Sequence, residues 1–492
     1  MRGRLGLLIL RWLSMALILM ALVLTVFELV QYSRIRSSFP PGMRIAGVPV
    51  GGLNQESAAE RLVQAYGVPV ELRYGDAVIQ VKPQVVGFEL KLDEMLAAAD
   101  LQRITQPFWS AFWDYLWNQL PTPKSVPLSA TISEERLRTY LKNEIAVRYD
   151  QPPEASIPLP GTTSFQSGNP GTVLDMDRAV VLIEDALRSP NARVVNLTYS
   201  QVKPPRPSLV NLEVLLKQIV DVSGFDGVVE MYMLDLKTRE EMNFAYRNGE
   251  DLAPGIAFTA ASTMKIPIMT STFRRVSEPT PQTVLDQMAL MIEQSENGPA
   301  DRLMQNVLDL NLGPLQVTED MQAIGLANTF IAGYFYPGAP LLQRFTTPAN
   351  SRTDVNTEPD VYNQTTPADL GMLMDDLYQC ANNGGGTLTA AYAGQVSQAE
   401  CQQMLDFLSL NDIAVLIKAG IPEGTRIAHK HGWIIENDGY LHTMGNAAIV
   451  YSPAGDYVLV IFMYQPVQLV FDPANVLFAN LSRAVYNYYN LE

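Results

Sequence analysis

The first long pattern in the chain is an apolar stretch near its N-terminus. No charged residue occurs from Trp12 to Phe27, and the apolar run continues to Val30. A helix needs about 17–25 such residues to cross a bilayer. We therefore predict a transmembrane helix over residues 12–30, which follows a short tail at residues 1–11.

Basic residues on the two sides of this stretch predict its orientation. The arginines before it are Arg2, Arg4 and Arg11, and those after it are Arg34 and Arg36. The excess before the span favours a cytoplasmic tail, with the rest of the chain outside the cell membrane. A cleaved signal peptide is the alternative. We favour an uncleaved anchor because no small-x-small cleavage site ends the apolar run.

Short apolar alternations and helical repeats follow this stretch. They predict strands at Val68–Tyr74 and Ala77–Val81 and a helix at Met176–Leu187. We expect an α+β stalk unit at residues 40–122 and a second α+β unit, a weaker copy of the first, at residues 123–202.

A stripe of aromatic residues lies between the two predicted units. Its members fall on one face of a helix and are Trp109, Phe112, Trp113, Leu116, Trp117 and Leu120. The stripe either packs against the α+β units or lies in the headgroup layer of a membrane. We favour packing, because no lysine or arginine flanks the stripe to hold an anionic surface.

The proline-rich sequence KPPRPS at residues 203–208 predicts a domain boundary, because proline interrupts both helices and sheets. Residues 209–492 begin and end with predicted strands. Those near the beginning are Val228–Leu234 and Met242–Tyr246, and those near the end are Gly445–Ser452 and Tyr457–Tyr464. Many helices are predicted between these two pairs. This order predicts an α+β domain whose sheet is assembled from both ends and is covered by helices.

Charge and cysteine content limit the classes of function. The 51 acidic residues against 35 basic ones give a formal net charge of −16, which repels a phosphate backbone, so no nucleic-acid partner is expected. The two cysteines, Cys380 and Cys401, are too few for a disulfide framework or a four-thiolate zinc site. They form either one bridge or a pair of buried thiols. The histidines His429, His431 and His442 are interpreted as ordinary strand and turn residues, and neither a metal nor another cofactor is expected.

Candidate chemistry begins at Ser262 and Lys265, in the sequence FTAASTMKIPIM. Residues three positions apart at the start of a helix share one face, so the hydroxyl and the amine are expected to meet. A serine hydroxyl is a weak nucleophile, but a neighbouring amine held neutral by burial accepts its proton. Ser262 and Lys265 are therefore a candidate nucleophile and base.

Two later motifs extend this pattern. Ser295-Glu296-Asn297 follows an apolar helix, and Lys430-His431-Gly432 lies where an apolar strand begins. With Ser262 and Lys265, these motifs resemble the S-x-x-K, S-x-N and K-x-G elements of class A β-lactamases and penicillin-binding proteins. The resemblance covers residues 209–492 and implies a β-lactamase-like fold, with an antiparallel sheet and a helical lobe.

The resemblance also implies a role for each residue. Ser262 would be acylated, Lys265 would accept its proton, and Ser295 would pass a proton to the leaving nitrogen. Lys430, also catalytic, would supply positive charge for the substrate carboxylate and keep the neighbouring proton relay poised. The substrate-binding residues would be Asn297, which holds the substrate amide, together with His431, Gly432 and Trp433. Gly432 would leave room for substrate, and the backbone N–H groups of Ser262 and Trp433 would form the oxyanion hole. The implied substrates are β-lactams and D-Ala-D-Ala cell-wall peptides.

Some positions depart from the family pattern. His431 replaces the usual threonine or serine, and an imidazole would have to bind the carboxylate, most effectively when protonated. The E-x-x-x-N signature of the deacylating base does not occur before Thr365-Thr366-Pro367, where Glu358 and Asn363 are only weak candidates. A catalytically weak or inactive scaffold that binds peptidoglycan is therefore the alternative to a serine hydrolase.

The stalk region carries a looser resemblance. GVPVGGLNQESAAERL and FQSGNPGTVLDMDRAVVLIEDAL resemble the peptidoglycan-binding domains that precede L,D-transpeptidase or VanW-type modules. This implies a peptidoglycan contact by residues 40–202. A membrane-proximal spacer without a ligand is the alternative.

Overall fold

The computed structural model describes residues 2–119 and 121–491. Met1, Leu120 and Glu492, which belong to the predicted tail, aromatic stripe and C-terminal domain, lie outside the described residues. The chain forms two compact units. The first contains the residues up to Glu154 together with Pro170–Lys203, and the second contains Ala155–Asn169 and the residues from Pro204 onward.

The helices and strands alternate along most of the chain. In chain order the helices are α1 Arg2–Arg36, α2 Gln55–Gly67, α3 Leu92–Ile104, α4 Phe108–Leu116, α5 Glu134–Tyr140, α6 Val147–Tyr149, α7 Met176–Arg188, α8 Leu209–Ser223, α9 Lys265–Phe273, α10 Gln282–Ile292, α11 Asn297–Leu303, α12 Gly313–Ala323, α13 Pro367–Asn383, α14 Thr387–Ala391, α15 Gln398–Ser409 and α16 Phe471–Tyr489. The strands are β1 Arg44–Ile45, β2 Val48–Pro49, β3 Val70–Tyr74, β4 Ala77–Val81, β5 Phe88–Leu90, β6 Ala130–Ile132, β7 Ile157–Pro158, β8 Phe165–Gln166, β9 Gly171–Leu174, β10 Val194–Asn196, β11 Tyr199–Val202, β12 Val228–Asp235, β13 Glu241–Arg247, β14 Glu250–Leu252, β15 Phe258–Thr259, β16 Phe330–Ile331, β17 Asn363–Thr365, β18 Ile427–Ile435, β19 Leu441–Ser452 and β20 Gly455–Tyr464. Short 3₁₀ or π segments are Leu141–Ala146, Ala261–Met264, Met304–Leu308 and Lys418–Gly420.

The first unit begins with the long helix α1. Within the described residues, one helical segment, Ile9–Arg36, is long and apolar enough to cross a membrane, as judged by length and composition. The side chains from Ile9 to Phe27 are all exposed. Such a surface suits a membrane anchor or a signal sequence.

The remainder of the first unit has one hydrophobic core. Its sheet places β3 between β4, which is antiparallel, and β10, which is parallel. Buried residues from both predicted stalk ranges, such as Leu62, Leu72, Ile183 and Val195, belong to the same cluster. Residues of the two ranges outside Ala155–Asn169 therefore share one core, and the three-residue β10 has β3 as its hydrogen-bonding partner.

The predicted packing of the tryptophan stripe is wrong. Trp109, Trp113 and Trp117 are 70%, 61% and 64% exposed, whereas Phe112 of the same helix is only 5% exposed. The packed residues of α4 recur at i, i+3, i+4 and i+7, from Phe108 to Tyr115. The tryptophans lie next to this narrow stripe on the helix surface, where the protein does not cover them.

The second unit is built on a six-stranded antiparallel sheet with the order β14-β13-β12-β20-β19-β18. Strands from both ends of the domain meet where β12 pairs with β20. Side chains alternate across this sheet, so that Met231 and Ile461 pack with α8 and α16, whereas Tyr232 and Val460 pack with the helices on the other face. The predicted α+β fold, with a sheet assembled from both ends, is confirmed.

Cys380 of α13 and Cys401 of α15 form a disulfide bond in the second unit. We expect the double variant Cys380→Ala/Cys401→Ala to lose about 3 kcal/mol of unfolding free energy, because the bridge restricts the unfolded chain. Urea unfolding followed by circular dichroism measures this loss. A thiol reductant should lower the stability of the wild type and leave the variant unchanged; equal unfolding midpoints for wild type and variant would contradict the prediction.

Candidate active site

Ser262 lies in the 3₁₀ turn Ala261–Met264, immediately before α9. The preceding residue, Ala261, has a φ of 47°, a left-handed conformation that costs a non-glycine residue roughly 1 kcal/mol. Its N–H donates a hydrogen bond of 2.7 Å to Asn363 Oδ1 at the edge of β17. This bond from a neighbouring strand helps to hold the turn in its strained shape.

Lys265 is the first residue of α9, and its Nζ lies 2.9 Å from Ser262 Oγ. The same amine donates to the carbonyl oxygen of Ser295 at 2.6 Å and to Asn297 Oδ1 at 2.8 Å. Both of these oxygens are acceptors only. A neutral amine has two N–H groups, so when these two oxygens occupy them its lone pair is left for the hydroxyl of Ser262.

The surroundings of Lys265 favour this neutral form. Its side chain is 0% exposed, and burial lowers its pKa to about 7, although the carboxylates of Asp301 and Glu296 oppose the shift. Asp301 is itself held by the N–H of Phe335 at 2.7 Å. The sequence analysis missed Asp301; only its position four residues after Asn297, one turn along α11, could have indicated it.

Ser295 connects the two lysines. Lys430 Nζ donates to Ser295 Oγ at 2.8 Å, and Lys265 Nζ lies 3.4 Å from the same oxygen. Lys430 is 0% exposed, and its pKa is lowered well below that of a free lysine by burial and then by the charge of Lys265. A continuous path for protons therefore runs from Ser262 through Lys265 and Ser295 to Lys430.

Gly432 allows β18 to lie against the nucleophile turn. A Cβ at this position would come within 2.7 Å of the carbonyl oxygen of Ala260, 2.8 Å of Thr263 N and 3.0 Å of Ser262 N. All three contacts are with backbone atoms, which cannot rotate away as a flexible side chain does. In this structure, the absence of a side chain at Gly432 therefore leaves space for the turn that carries Ser262.

His431 and Trp433 flank Gly432 in β18, and their rings stack with centroids 4.5 Å apart. Burial, followed by the charges of Lys430, His429 and Lys265, lowers the pKa of His431 to about 2. The imidazole is therefore favoured in its neutral form in this structure, and contact of a protonated His431 with a substrate carboxylate stays a prediction. Among the described residues, none makes a hydrogen bond to His431 Nδ1.

The weak candidates for a deacylating base are not equivalent. Glu358 is exposed and has a φ of 47°, whereas Asn363 is buried and its Oδ1 is occupied by the N–H of Ala261. Asn363 Nδ2 lies 3.4 Å from Asp360 Oδ2, and burial raises the pKa of Asp360. Asp360, which the sequence analysis missed, thus joins the network that supports the nucleophile turn.

The structure thus brings Ser262, Lys265, Ser295, Asn297 and Lys430 into one hydrogen-bonded group, against which Gly432 packs. Among residues 2–119 and 121–491, no three or more His, Cys, Asp or Glu residues are grouped so as to hold a metal ion. A buried amine beside a serine hydroxyl defines a serine–lysine site in a β-lactamase-like fold.

The C-terminal part of the chain matches the model of the β-lactamase enzyme family. Residues 277–489 match the model of this family, which confirms the resemblance identified in the C-terminal domain. The match begins after Ser262 and Lys265 and includes Ser295 and Lys430. No curated protein matches the chain.

Several solved structures are similar to part of this chain. A mutant of PBP-A in an acyl-enzyme complex with penicillin G is 23% identical, with a TM-score of 0.41, and the alignment covers 58% of this chain and 99% of that chain. An ancestral class A β-lactamase is 19% identical, with a TM-score of 0.40 and coverages of 55% and 98%. A β-lactamase from Desulfarculus baarsii is 16% identical, with a TM-score of 0.42 and coverages of 58% and 100%.

Proposed function

We propose that the chain is a membrane-anchored serine hydrolase whose catalytic domain lies outside the cell and forms an acyl-enzyme through Ser262. The observation that carries this proposal is the 2.9 Å contact of Ser262 Oγ with the buried amine of Lys265, whose pKa is lowered to about 7. At neutral pH much of this amine is free to accept a proton. The match of residues 277–489 to the model of the β-lactamase enzyme family supports the same reaction.

The reaction begins when the hydroxyl of Ser262 gives its proton to Lys265 Nζ and its oxygen bonds to the carbonyl carbon of the substrate. The carbon–nitrogen bond of the amide or β-lactam then breaks. The leaving nitrogen receives a proton from Ser295 Oγ, which is replenished from Lys265 or Lys430 through the hydrogen bonds described above. The product of this step is an ester on Ser262 and a free amine.

β-Lactams and D-Ala-D-Ala cell-wall peptides are the proposed substrates, and both carry a carboxylate. That group would approach Lys430 and raise its pKa, since an opposite charge favours the protonated amine. Asn297 has two roles in this proposal, because its Oδ1 orients Lys265 while its Nδ2 can donate to the substrate. The N–H groups of Ser262 and Trp433 remain the proposed oxyanion hole.

The proposal is tested by incubating the purified full chain with fluorescent penicillin and mapping the labelled peptide by mass spectrometry. We expect one adduct on the peptide that contains Ser262. Heat-denatured protein, in which the site is lost, serves as the control. Failure to form an adduct with penicillin or with a D-Ala-D-Ala thioester would overturn the proposal and favour a scaffold that binds peptidoglycan.

We expect the acyl-enzyme to be long-lived, as in a penicillin-binding protein. Glu358 is solvent-exposed and not part of the hydrogen-bonded group around Ser262, and Asn363 has an amide side chain that is not a base and already accepts the N–H of Ala261. The lifetime of the penicillin adduct and the steady-state hydrolysis of nitrocefin measure this property. Rapid decay of the penicillin adduct together with rapid hydrolysis of nitrocefin would contradict it.

The acylation rate should depend on pH through Lys265. The neutral amine is the base, so the rate should fall about tenfold per pH unit well below pH 7 and reach a plateau above about pH 8. Rapid-mixing measurements of penicillin labelling between pH 5 and pH 10 test this, since an unshifted lysine would give a rate that still rises near pH 10. Circular dichroism at each pH provides the control for folding.

Contact of the first unit with peptidoglycan also remains a proposal, supported by the sequence resemblance of residues 40–202. Sedimentation of the full chain with isolated cell wall tests it after the penicillin site has been blocked. Binding that persists in the blocked protein would support a second contact, and loss of all binding would favour a spacer.

A further inference from the structure

We propose that α4 is an interfacial helix and that its tryptophan face lies in the lipid headgroup layer of the membrane that α1 crosses. This face is formed by Trp109 and Trp113 of α4 and by Trp117, which directly follows the helix. This inference goes beyond the reaction at Ser262. It depends on α1 being retained as an anchor, and it assigns a lipid contact to a surface of the folded first unit.

The exposure of this face is the first observation. The three indoles are between 61% and 70% exposed, and they recur every four residues along one side of the helix. Trp113 and Trp117 contact each other with ring centroids 6.3 Å apart. Exposed tryptophans are uncommon on a surface that faces water only, and three in a row form a contiguous apolar patch.

The attachment of α4 to α1 is the second observation. Tyr32 of α1 lies with its ring centroid 5.4 Å from Phe108, 5.5 Å from Phe112 and 5.2 Å from Tyr115. The hydroxyl of Tyr115 donates to Glu28 Oε2 at 3.1 Å. These contacts fix α4 beside the last turns of α1.

A further pair of contacts holds the loop that precedes α4. The guanidinium of Arg36 lies 5.1 Å from the ring centroid of Phe108, and its Nη2 donates to the carbonyl oxygen of Gln106 at 2.9 Å. Arg103 Nη1 in turn donates to the carbonyl oxygen of Arg36 at 2.7 Å. Hydrogen bonds therefore hold α1 both to α4 itself, through Tyr115, and to the loop before α4, through Gln106. Together they fix the position of α4 along α1.

The position of this contact along α1 sets its depth in a membrane. At about 1.5 Å per residue, the apolar stretch from Trp12 to Val30 spans about 28 Å, close to the thickness of a hydrocarbon core of about 30 Å. Glu28 lies in the last turn of this stretch and Tyr32 just beyond it. Because α4 packs on these two residues, it lies at the boundary of the hydrocarbon, where indole rings are favoured.

Lipid is favoured over a protein partner because the tryptophan face lies beside the exposed apolar surface of α1, which is itself expected to lie in lipid. Every side chain from Ile9 to Phe27 is exposed, so insertion of α1 brings lipid to the side of α4. The one charged residue of α4, Asp114, accepts a hydrogen bond from Gln106 Nε2. The tryptophan face is therefore neutral, and its insertion should not depend on anionic lipid.

The test uses the full chain in phosphatidylcholine vesicles, with Trp12→Phe and Trp433→Phe leaving only the three tryptophans of α4 out of five. Their fluorescence is quenched either by iodide in the water or by lipids brominated near the headgroup end of the acyl chains. We expect strong quenching by the brominated lipids, several-fold protection from iodide, and the same result when phosphatidylglycerol is added.

A matched control replaces all five tryptophans by phenylalanine and adds Val467→Trp, at a position that is 79% exposed in the second unit. This tryptophan should be open to iodide and insensitive to brominated lipid. Equal behaviour of the α4 tryptophans and the control would overturn the proposal.

A second copy of the chain as the occupant of the face is another outcome that would overturn it. In that case the α4 tryptophans would be shielded from iodide and from brominated lipid alike. Trp109→Gln/Trp113→Gln/Trp117→Gln would then also dissociate an oligomer in sedimentation velocity. Penicillin labelling of vesicles that hold the wild-type chain reports separately on Ser262, so failure of the lipid contact is distinguishable from failure of the catalytic proposal.

Discussion

Replacing Lys265 by methionine should slow acylation by penicillin by about 10²–10⁴-fold, the range expected when a general base is removed. Methionine keeps the length of the side chain but cannot accept the proton of Ser262. The loss corresponds to about 3–5 kcal/mol of transition-state stabilisation. The rate of fluorescent penicillin labelling measures it, and thermal unfolding shows whether the variant is folded.

Lys265→Arg separates the role of a base from that of a charge. An arginine stays protonated at every accessible pH, so this variant should be about as slow as Lys265→Met, although it retains a cation. Lys237→Met, at an exposed turn position, is the matched control and should label at the wild-type rate. Rapid labelling of a folded Lys265→Met protein would exclude the proposed mechanism.

Gly432→Ala should lower the rate of acylation by about 100-fold, because a shift of about 1 Å in catalytic groups has an effect of this size. The added Cβ would meet backbone atoms of Ala260, Thr263 and Ser262 at 2.7–3.0 Å. Either β18 or the nucleophile turn must then move, and Ser262 leaves its position relative to Lys265.

Gly385→Ala is the control for this prediction, since a Cβ there meets no atom within 4 Å and its backbone needs no left-handed conformation. Its labelling rate should equal that of the wild type. If Gly432→Ala also labelled at the wild-type rate, with unchanged thermal stability, the close approach of β18 to Ser262 would have no part in catalysis.

Local patterns were the most reliable part of the sequence analysis. Short apolar runs predicted β12 and β20, and the separation of these strands along the chain predicted a sheet built from both ends of the domain. The three-residue spacing of Ser262 and Lys265 predicted their contact, because a single helical turn is enough to bring them together. The contact of Ser262 with Lys265 required no knowledge of distant residues.

Predictions that depended on surroundings were less successful. The tryptophan stripe was expected to pack, but α4 uses the neighbouring side, from Phe108 to Tyr115, against α1. His431 was expected to be most effective when charged, whereas burial lowers the pKa of its imidazole in this structure. Sequence spacing describes which residues share a face, and it does not say which face finds a partner.

The amino-acid sequence alone determined which side chains are present for the chemistry and which of them are neighbours within one turn. The tertiary structure decided that Asn297 and Ser295 accept the two N–H groups of Lys265. It also decided that Gly432 leaves space for the backbone around Ser262, and that Lys265 and Lys430 are both buried. The physical reason is that the pKa of an amine depends on how much water it loses, and this loss is the combined effect of segments far apart in the chain.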